Sequence, residues 1–262
     1  MIPDICSMHI LLTAATPFEL QPTLDYLAAA PDFPATTPNH SSGPPDPVTS
    51  VSHLIIPPVT SVSHLTITPL ITGVGSLPTT WSLMRQIGRQ RPQLIIQAGI
   101  AGSFTGRKPG EVLAIQKDTL ADLGVWEDQT FKTLFDLRLT PPDAPPFTGG
   151  QLVNPYRRLL ELTSLDLVPA ITVNEITTDP TRIRWYQQNT DAVVESMEGG
   201  GLHYVCLQEK IPFLQLRAVS NDIGVRDKTK WDIRSAIANL NTRLISLLET
   251  LNTTKDEIFE QL

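Results

Sequence analysis

Short apolar runs alternate with amphipathic segments along most of the chain. The apolar runs are three to eight residues long and rich in β-branched residues, which is typical of buried strands. In the segments between them, apolar residues repeat at helical spacing. This alternation predicts a three-layer α/β/α domain with polar groups at several strand ends. The predicted strands cover 8–15, 65–71, 94–101, 112–117, 170–173, 192–194 and 212–219, and a long helix runs from 229 to about 251.

The first helix has a clear start signal. Thr16 suits the N-cap, Pro17 suits the first helical position, and Glu19 stands three residues after Thr16. Glu19 therefore has two interpretations of equal weight. It completes a capping box, or it presents a carboxylate to a ligand at the end of the first strand. Asp179 followed by Pro180 predicts a second helix start.

A region of different composition, at about 31–64, interrupts the pattern. Residues 31–47 are rich in Pro, Ser, Thr and Asn, which indicates a loop or a disordered insert. The sequence PVTSVSHL then occurs at 47–54 and again at 58–65, a local duplication that predicts two edge strands or one strand and a slipped copy. Nothing before Met8 has a pattern, so residues 1–7 are expected to form an unstructured leader.

Composition narrows the possible functions. A chain of 262 residues with 41% hydrophobic content predicts a single domain spanning 1–262, with the insert inside it. The net charge of −7 and the lack of a basic run make nucleic acid and anionic membrane unexpected partners. Cys6 and Cys206 are too few for a disulfide scaffold and have no metal-ligand spacing with the histidines. We expect reduced cysteines in a cytoplasmic protein, with no metal and no cofactor.

Candidate chemistry lies at strand ends. The sequence ESMEGGG at 195–201 follows an apolar strand and precedes an apolar-periodic helix expected at 202–207, and Asn221 and Asp222 follow another strand. Together with Glu19, these groups could perform a hydrolysis in which one acid positions water. Neither a Gly-x-Ser-x-Gly elbow nor a phosphate-binding Walker motif occurs. The spacing does not identify a substrate.

The chain resembles the purine nucleoside phosphorylase and nucleosidase superfamily. The resemblance rests on ITGVG at 71–75, QAGIAG at 97–102, SMEG at 196–199 and RAVSN at 217–221. Within the superfamily, AATPFE at 14–19, HYVCLQEKIPF at 203–213 and GVRDK at 224–228 most resemble the futalosine hydrolase family. The resemblance covers roughly 8–251 apart from the insert, and it implies a central mixed, twisted sheet.

The resemblance also implies roles for individual residues. Glu198 matches the acid that accepts hydrogen bonds from the ribose hydroxyls, and Met197 matches the residue that packs on the sugar. Glu19 most nearly matches the acid that positions the attacking water. Ile176 and Gly99 fall among the implied substrate-binding positions. The family tends to have alanines where residues 200–201 are glycines, so a less firm helix start is expected there.

Asn221 matches the position that contacts the base at N7 and the six-position. The resemblance implies an Asp at this position in nucleosidases that cleave adenine nucleosides, where it can accept from the exocyclic amine. An Asn amide can instead donate to the O6 of a 6-oxopurine. Asn221 therefore favours hypoxanthine as the leaving base. Asp222 is a further candidate for leaving-group protonation, although strand alternation would point it away.

The expected reaction is hydrolysis of futalosine to hypoxanthine and dehypoxanthine futalosine, in the alternative menaquinone pathway. Water is favoured over phosphate as nucleophile, because an acid such as Glu19 would repel phosphate. One alternative is a methylthioadenosine/S-adenosylhomocysteine or aminofutalosine nucleosidase, and another is a non-catalytic nucleoside-binding protein. The resemblance also implies a homo-oligomer.

Overall fold

The structure is a computed structural model, and it describes residues 8–29, 59–60, 65–225 and 227–253. Nine strands form one mixed sheet and two more form a separate hairpin. The strands are β1 (Met8–Ala14), β2 (Val59–Thr60), β3 (Leu65–Ile71), β4 (Leu94–Ser103), β5 (Val112–Leu120), β6 (Gly124–Glu127), β7 (Thr130–Thr133), β8 (Leu152–Val153), β9 (Asp166–Thr172), β10 (Val194–Ser196) and β11 (Phe213–Asp222).

Part of the sheet closes on itself. The strand order is β10-β9-β5-β11-β4-β1-β3-β2, and the ninth strand, β8, pairs with β5 outside this order. β10 also pairs with β4 in the antiparallel sense, so that β10, β9, β5, β11 and β4 form a ring. The seam is short: only Val194 with Ser103 and Glu195 with Gly102 are paired across it. An apolar cluster that includes Ala101 is contributed by all five ring strands and by no helix, and it fills the inside of the ring.

Helices cover both faces of the sheet. They are α1 (Pro17–Ala29), α2 (Ser76–Arg89), α3 (Arg157–Leu162), α4 (Pro180–Asn189), α5 (Gly199–Glu209) and α6 (Ile233–Thr253). Along β1, Ile10 and Leu12 pack in one cluster with α1 and α6, whereas Leu11 packs in another with α2 and α5. This alternation follows from the period of two along a strand, and it confirms the three-layer α/β/α fold with a mixed sheet.

The starts of α1 and α4 were predicted correctly from local signals, but the start of α5 was not. α1 begins at Pro17, and Asp179 caps α4 with its carboxylate. The prediction that the glycines separate strand 192–194 from a helix beginning at 202 is wrong: β10 is Val194–Ser196, and α5 already begins at Gly199.

The reason for this difference is tertiary packing. A Cβ on Gly200 would lie 2.4 Å from Leu120 Cδ2, and one on Gly201 would lie 2.9 Å from the carbonyl oxygen of Ser76. Alanine at Gly201 would press on a backbone oxygen, and alanine at Gly200 would require Leu120 to move, although alanine has the higher helix propensity. The glycines thus allow close packing at the start of α5, whereas the expectation of a less firm helix start stays a prediction.

Several predictions fall outside the described residues. They concern the leader 1–7, most of the insert, and both copies of the duplication except Val59–Thr60 and Leu65. Val59–Thr60 pairs with β3 as an edge strand. In the described ranges, no three His, Cys, Asp or Glu side chains gather as a metal site. No helix within those ranges has the length and apolar character that a membrane crossing requires.

Candidate active site

A cavity of about 330 Å³ opens where β1, β4, β10 and β11 meet. Glu19, Met197, Glu198, Asn221 and Ile176 all line it, so the structure brings together five of the seven residues that the sequence singled out, without Gly99 and Asp222. Apolar side chains from other segments complete its wall, among them Phe18, Val74, Val225 and Trp231.

A second cavity, of about 600 Å³, lies between the β6–β7 hairpin, residues 134–151 and the end of α4. Its acidic side chains already have partners: Asp136 accepts from Thr133, and Asp191 lies 2.7 Å from Lys117 Nζ. The smaller cavity, which gathers buried acids and an amide, is the better candidate for chemistry.

Glu19 bonds to Thr16 at the start of α1 and also lines the cavity. Its Oε2 accepts from the Thr16 backbone nitrogen at 2.9 Å and from the Thr16 hydroxyl at 3.1 Å. The first of these is the half of a capping box that the glutamate supplies. Its Oε1 accepts from the Ile100 backbone nitrogen at 3.2 Å. Burial raises the pKa of Glu19, Arg217 opposes this increase, and the nearby Glu198 adds to it.

Glu198 stands at the start of α5 and faces the cavity. Its Oε1 accepts from the Gly75 backbone nitrogen at 3.1 Å, which explains why the Gly-rich turn after β3 approaches so closely. The Ser76 hydroxyl donates to the carbonyl oxygen of Met197 at 3.1 Å. These contacts tie residues 197–198 to the start of α2 and direct a buried carboxylate into the cavity.

Arg217 is the charged residue at the site that the sequence analysis did not single out. Its side chain is only 1% exposed, and Nη1 donates to Glu198 Oε2 at 3.1 Å while Nη2 donates to Gln97 Oε1 at 2.9 Å. A buried guanidinium requires anionic and polar partners. Arg217 thus supplies the cation beside two carboxylates, although it does not itself line the cavity.

Gly99 lies behind this cluster and does not line the cavity. A Cβ at Gly99 would lie 2.4 Å from Arg217 Nη1 and 3.1 Å from Glu19 Oε1. The absence of a side chain there lets Arg217 and Glu19 approach β4. Its place in the structure is therefore beneath the acids, at a distance from any ligand in the cavity.

The orientation of the Asn221 amide is fixed from two sides. Nδ2 donates to the carbonyl oxygen of Asp222 at 2.9 Å, and the buried Ser220 hydroxyl donates to Oδ1 at 2.8 Å. A backbone carbonyl can only accept, so the atom next to it must be the amide nitrogen. The second hydrogen of Nδ2 stays available as a donor. The Asp222 side chain is exposed and lies outside the cavity lining.

A further acid, Glu195, also lines the cavity. It accepts from the backbone nitrogen of Thr177 at 3.1 Å and from the Thr177 hydroxyl, and burial raises its pKa. This pair holds the segment that carries Ile176, whose side chain is 44% exposed at the cavity edge. The sequence analysis had named Glu195 only as part of the strand-end segment.

Comparison with protein families supports the resemblance inferred from the sequence. The family model described as "Phosphorylase superfamily" matches residues 9–252. Among curated proteins, the futalosine hydrolase of Streptomyces coelicolor is 32% identical over 165 residues, which is 62% of this chain and 68% of the relative. The futalosine hydrolase of Acidothermus cellulolyticus is 30% identical over 185 residues, covering 68% and 73% of the two chains.

Solved structures share the fold. The 5'-methylthioadenosine/S-adenosylhomocysteine nucleosidase of Helicobacter pylori, solved with butyl-thio-DADMe-Immucillin-A, superposes with a TM-score of 0.72 at 15% identity over 93% of this chain and 98% of its own. The native futalosine hydrolase of Helicobacter pylori gives a TM-score of 0.69 at 14% identity, covering 92% and 97%. At these identities the similarity concerns the fold.

Proposed function

The chain belongs to the phosphorylase superfamily, and we propose that within it this protein hydrolyses the N-glycosidic bond of futalosine, releasing hypoxanthine and dehypoxanthine futalosine. One observation carries the choice of water as nucleophile. The described residues that line the cavity include three carboxylic acids, Glu19, Glu195 and Glu198, and neither Lys nor Arg. Such a lining disfavours an anionic phosphate and suits a neutral nucleophile beside a cationic transition state.

In the proposed mechanism, Glu198 accepts hydrogen bonds from the ribose hydroxyls and Met197 packs against the sugar. Glu19 orients a water molecule towards the anomeric carbon. As the bond from that carbon to the base nitrogen breaks, positive charge develops on the ribose, and the buried carboxylates stabilise it. The water hydroxyl joins the anomeric carbon and its proton passes to Glu19, while the base leaves with the electron pair of the broken bond. The base anion takes up one proton from solvent, and Glu19 returns its proton to solvent, so that one water is consumed overall.

Asn221 supports the assignment of hypoxanthine as the base. Because Ser220 and the Asp222 carbonyl fix the amide, its remaining N–H donor can meet the O6 or N7 acceptor of a 6-oxopurine. An adenine amine at the six-position is itself a donor and would face this N–H unfavourably. This preference fits a role in the alternative menaquinone pathway.

The test is an assay in phosphate-free buffer. Hypoxanthine release from futalosine, measured by chromatography, is expected without phosphate and at an unchanged rate when phosphate is added. Glu19→Gln should reduce turnover by about 10²–10⁴-fold, while Glu161→Gln, in an exposed pair on α3, should not. Release only with phosphate would indicate a phosphorylase.

The same assay separates the two alternatives. Faster turnover of methylthioadenosine, S-adenosylhomocysteine or aminofutalosine than of futalosine would indicate an adenine nucleosidase. Binding of hypoxanthine nucleosides without turnover, unchanged by Glu19→Gln, would indicate a nucleoside-binding protein.

We also propose that the chain forms a homo-oligomer. Leu77, Trp81 and Met84 lie on one face of α2 and are exposed, and the exposed Val74 connects this stripe to the cavity. A contiguous apolar surface beside a site indicates a protein contact. Sedimentation should show a dimer or larger assembly that Leu77→Asp with Met84→Asp disrupts. Leu139→Asp, equally exposed but outside the stripe, should leave the assembly intact.

A cytoplasmic location is a further proposal. It rests on the low cysteine content of the chain and on the free, buried thiol of Cys206, which forms no disulfide in the described residues. Fractionation of cells that express the tagged protein would test it, and recovery in a secreted or membrane fraction would contradict it.

A further inference from the structure

We propose that Asp118 is a positioning residue that frees Glu198 for substrate by holding the start of α5 in its place. The role of Glu198 in this inference rests on the proposed function. Asp118 lies on β5, does not line the cavity, and is completely buried.

Glu198 occupies the position from which a side chain normally caps its own helix. A residue at the N-cap usually accepts from the backbone nitrogens two or three positions on, and so satisfies donors that have no partner within the helix. Glu198 makes no such bond, because its carboxylate turns to Gly75 and Arg217 instead. The first donors of α5 therefore need other acceptors.

Two hydroxyl groups from neighbouring strands take over the cap. The Gly200 nitrogen donates to Thr172 Oγ1 at 2.7 Å, and the Gly199 nitrogen donates to Ser196 Oγ at 3.3 Å. The bond to Thr172 is the shorter of the two. Its acceptor lies on β9, whereas Ser196 lies on β10, the strand that leads directly into α5. The helix start is thus fixed by the sheet, while Glu198 stays directed at the cavity.

Asp118 determines which way the Thr172 hydroxyl points. Thr172 Oγ1 donates to Asp118 Oδ1 at 2.8 Å, and a carboxylate can only accept. The hydroxyl proton is therefore committed to Asp118, and a lone pair of the same oxygen is left for Gly200. A hydroxyl without this acceptor could rotate its proton towards the Gly200 N–H and lose the cap.

The second oxygen of Asp118 lies against the helix start. A Cβ on Gly199 would lie 2.4 Å from Asp118 Oδ2 and 2.1 Å from Gln215 Nε2, so this glycine is what allows the approach. Negative charge at this place is favourable, because the N-terminus of a helix carries partial positive charge. Burial raises the pKa of Asp118 to about 6, while Thr172, Arg217 and Gln215 oppose the shift. The group is ionised above that pH.

A double-mutant cycle tests the proposal. Asp118→Leu removes the acceptor and should lower kcat/KM for futalosine by about 10–100-fold, the range of one or two hydrogen bonds to charged groups. Most of this loss should appear in KM if Glu198 holds the ribose. In a Glu198→Ala background, Asp118→Leu should change kcat/KM by less than about threefold, because there is no carboxylate left to position.

Conservative variants give the matched comparison. Asp118→Asn retains an acceptor for Thr172 and should recover most of the activity, whereas Thr172→Val should reproduce the loss. Thr68→Val removes a similarly buried hydroxyl, bound to His9 on the outer part of the sheet, and should leave KM unchanged. Additive losses in the Asp118–Glu198 cycle, or no recovery with Asp118→Asn, would overturn the proposal.

Amide hydrogen exchange makes the result independent of the proposed reaction. Exchange at Gly200 should be faster in Asp118→Leu than in the wild type and should return towards it in Asp118→Asn. If the wild type does not hydrolyse futalosine, the proposed function fails. The exchange pattern then tests by itself whether Asp118 maintains the bond between the Gly200 nitrogen and Thr172. Unchanged exchange at Gly200 in Asp118→Leu would refute the cap whatever the substrate.

Discussion

Arg217 Nη1 lies 3.1 Å from Glu198 Oε2 in the interior of the protein. The Arg217 guanidinium and the Glu19 carboxylate also both lie close to Gly99. One cation thus stands beside two buried acids. This arrangement leaves the group with a net negative charge when both acids are ionised. It suits a reaction in which positive charge develops on the sugar.

Removing this cation should damage the fold as well as the site. Arg217→Met leaves Glu198 without its ion pair and should lower the free energy of unfolding by about 3–5 kcal/mol. Denaturant titration measures this loss. Arg91→Met, in a half-exposed pair with Glu209, should cost less than about 1 kcal/mol. Equal effects of the two substitutions would mean that the buried pair contributes nothing specific.

The choice of base should depend on Asn221. Asn221→Asp introduces a group that can accept from an exocyclic amine and repels O6, so the ratio of kcat/KM for aminofutalosine to that for futalosine should rise at least about tenfold, or ~1.4 kcal/mol. Asp222→Asn makes the reverse change one residue further on, at an exposed side chain, and should leave this ratio unchanged. Unaltered selectivity in Asn221→Asp would mean that the base contact is assigned to the wrong residue.

Glycine substitutions should have opposite effects in two helices. Gly199→Ala places a methyl group against Gln215 and Asp118 and should destabilise the protein by about 1–3 kcal/mol or more. Gly88→Ala, inside α2 with no atom within 4 Å of the new methyl, should stabilise it by about 0.5–1 kcal/mol. Thermal unfolding distinguishes the two, and stabilisation by Gly199→Ala would contradict the packing described for α5.

Asp118 and His203 should have opposing effects on stability as pH changes. Burial raises the pKa of Asp118 from 3.8 to about 6, so the folded state binds its proton more tightly and this contribution to stability falls as pH rises from about 4 to 6. Burial lowers the pKa of His203 from 6.5 to about 4, so its contribution falls as pH decreases over nearly the same range. Each shift corresponds to about 3 kcal/mol.

Single substitutions should reveal each effect. Relative to the wild type, the unfolding free energy of Asp118→Asn should rise by about 3 kcal/mol between pH 4 and 7, and that of His203→Gln should fall by a similar amount. Urea titrations across this range measure both differences. Glu19 and Glu195, whose pKa values are also raised, are common to all three proteins and cancel in the comparison. Parallel profiles would contradict these assignments.

Features set by local chemistry could be predicted from the sequence. The Asp179 cap occurs as expected, and of the Thr16–Glu19 capping box the bond from the Thr16 backbone nitrogen to Glu19 occurs. Both depend on residues three positions apart or less. The start of α5 could not be predicted in this way. Three glycines argue against a helix on local grounds, and only their contacts with Asp118, Leu120 and Ser76 show why the helix contains them.

Arg217 illustrates a signal that was present but not used. It interrupts the apolar strand 213–219, and a charged residue in a buried strand requires a buried partner. That reasoning predicts an ion pair without identifying Glu198, which lies on another strand end. The β6–β7 hairpin was also missed, because its turn uses Asp128 and Gln129 at positive φ instead of an Asn-Gly or Asp-Gly pair.

The short seam between β4 and β10 has a consequence for how the site assembles. The segment proposed to bind the sugar begins at that seam, and residues 104–193 separate the two strands along the chain. Contacts of such long sequence separation form late in folding and open at low free energy when few residues are paired. Heating or mild denaturant should therefore abolish activity before the remaining sheet unfolds, so that loss of function reports the opening of the ring earlier than any measure of secondary structure.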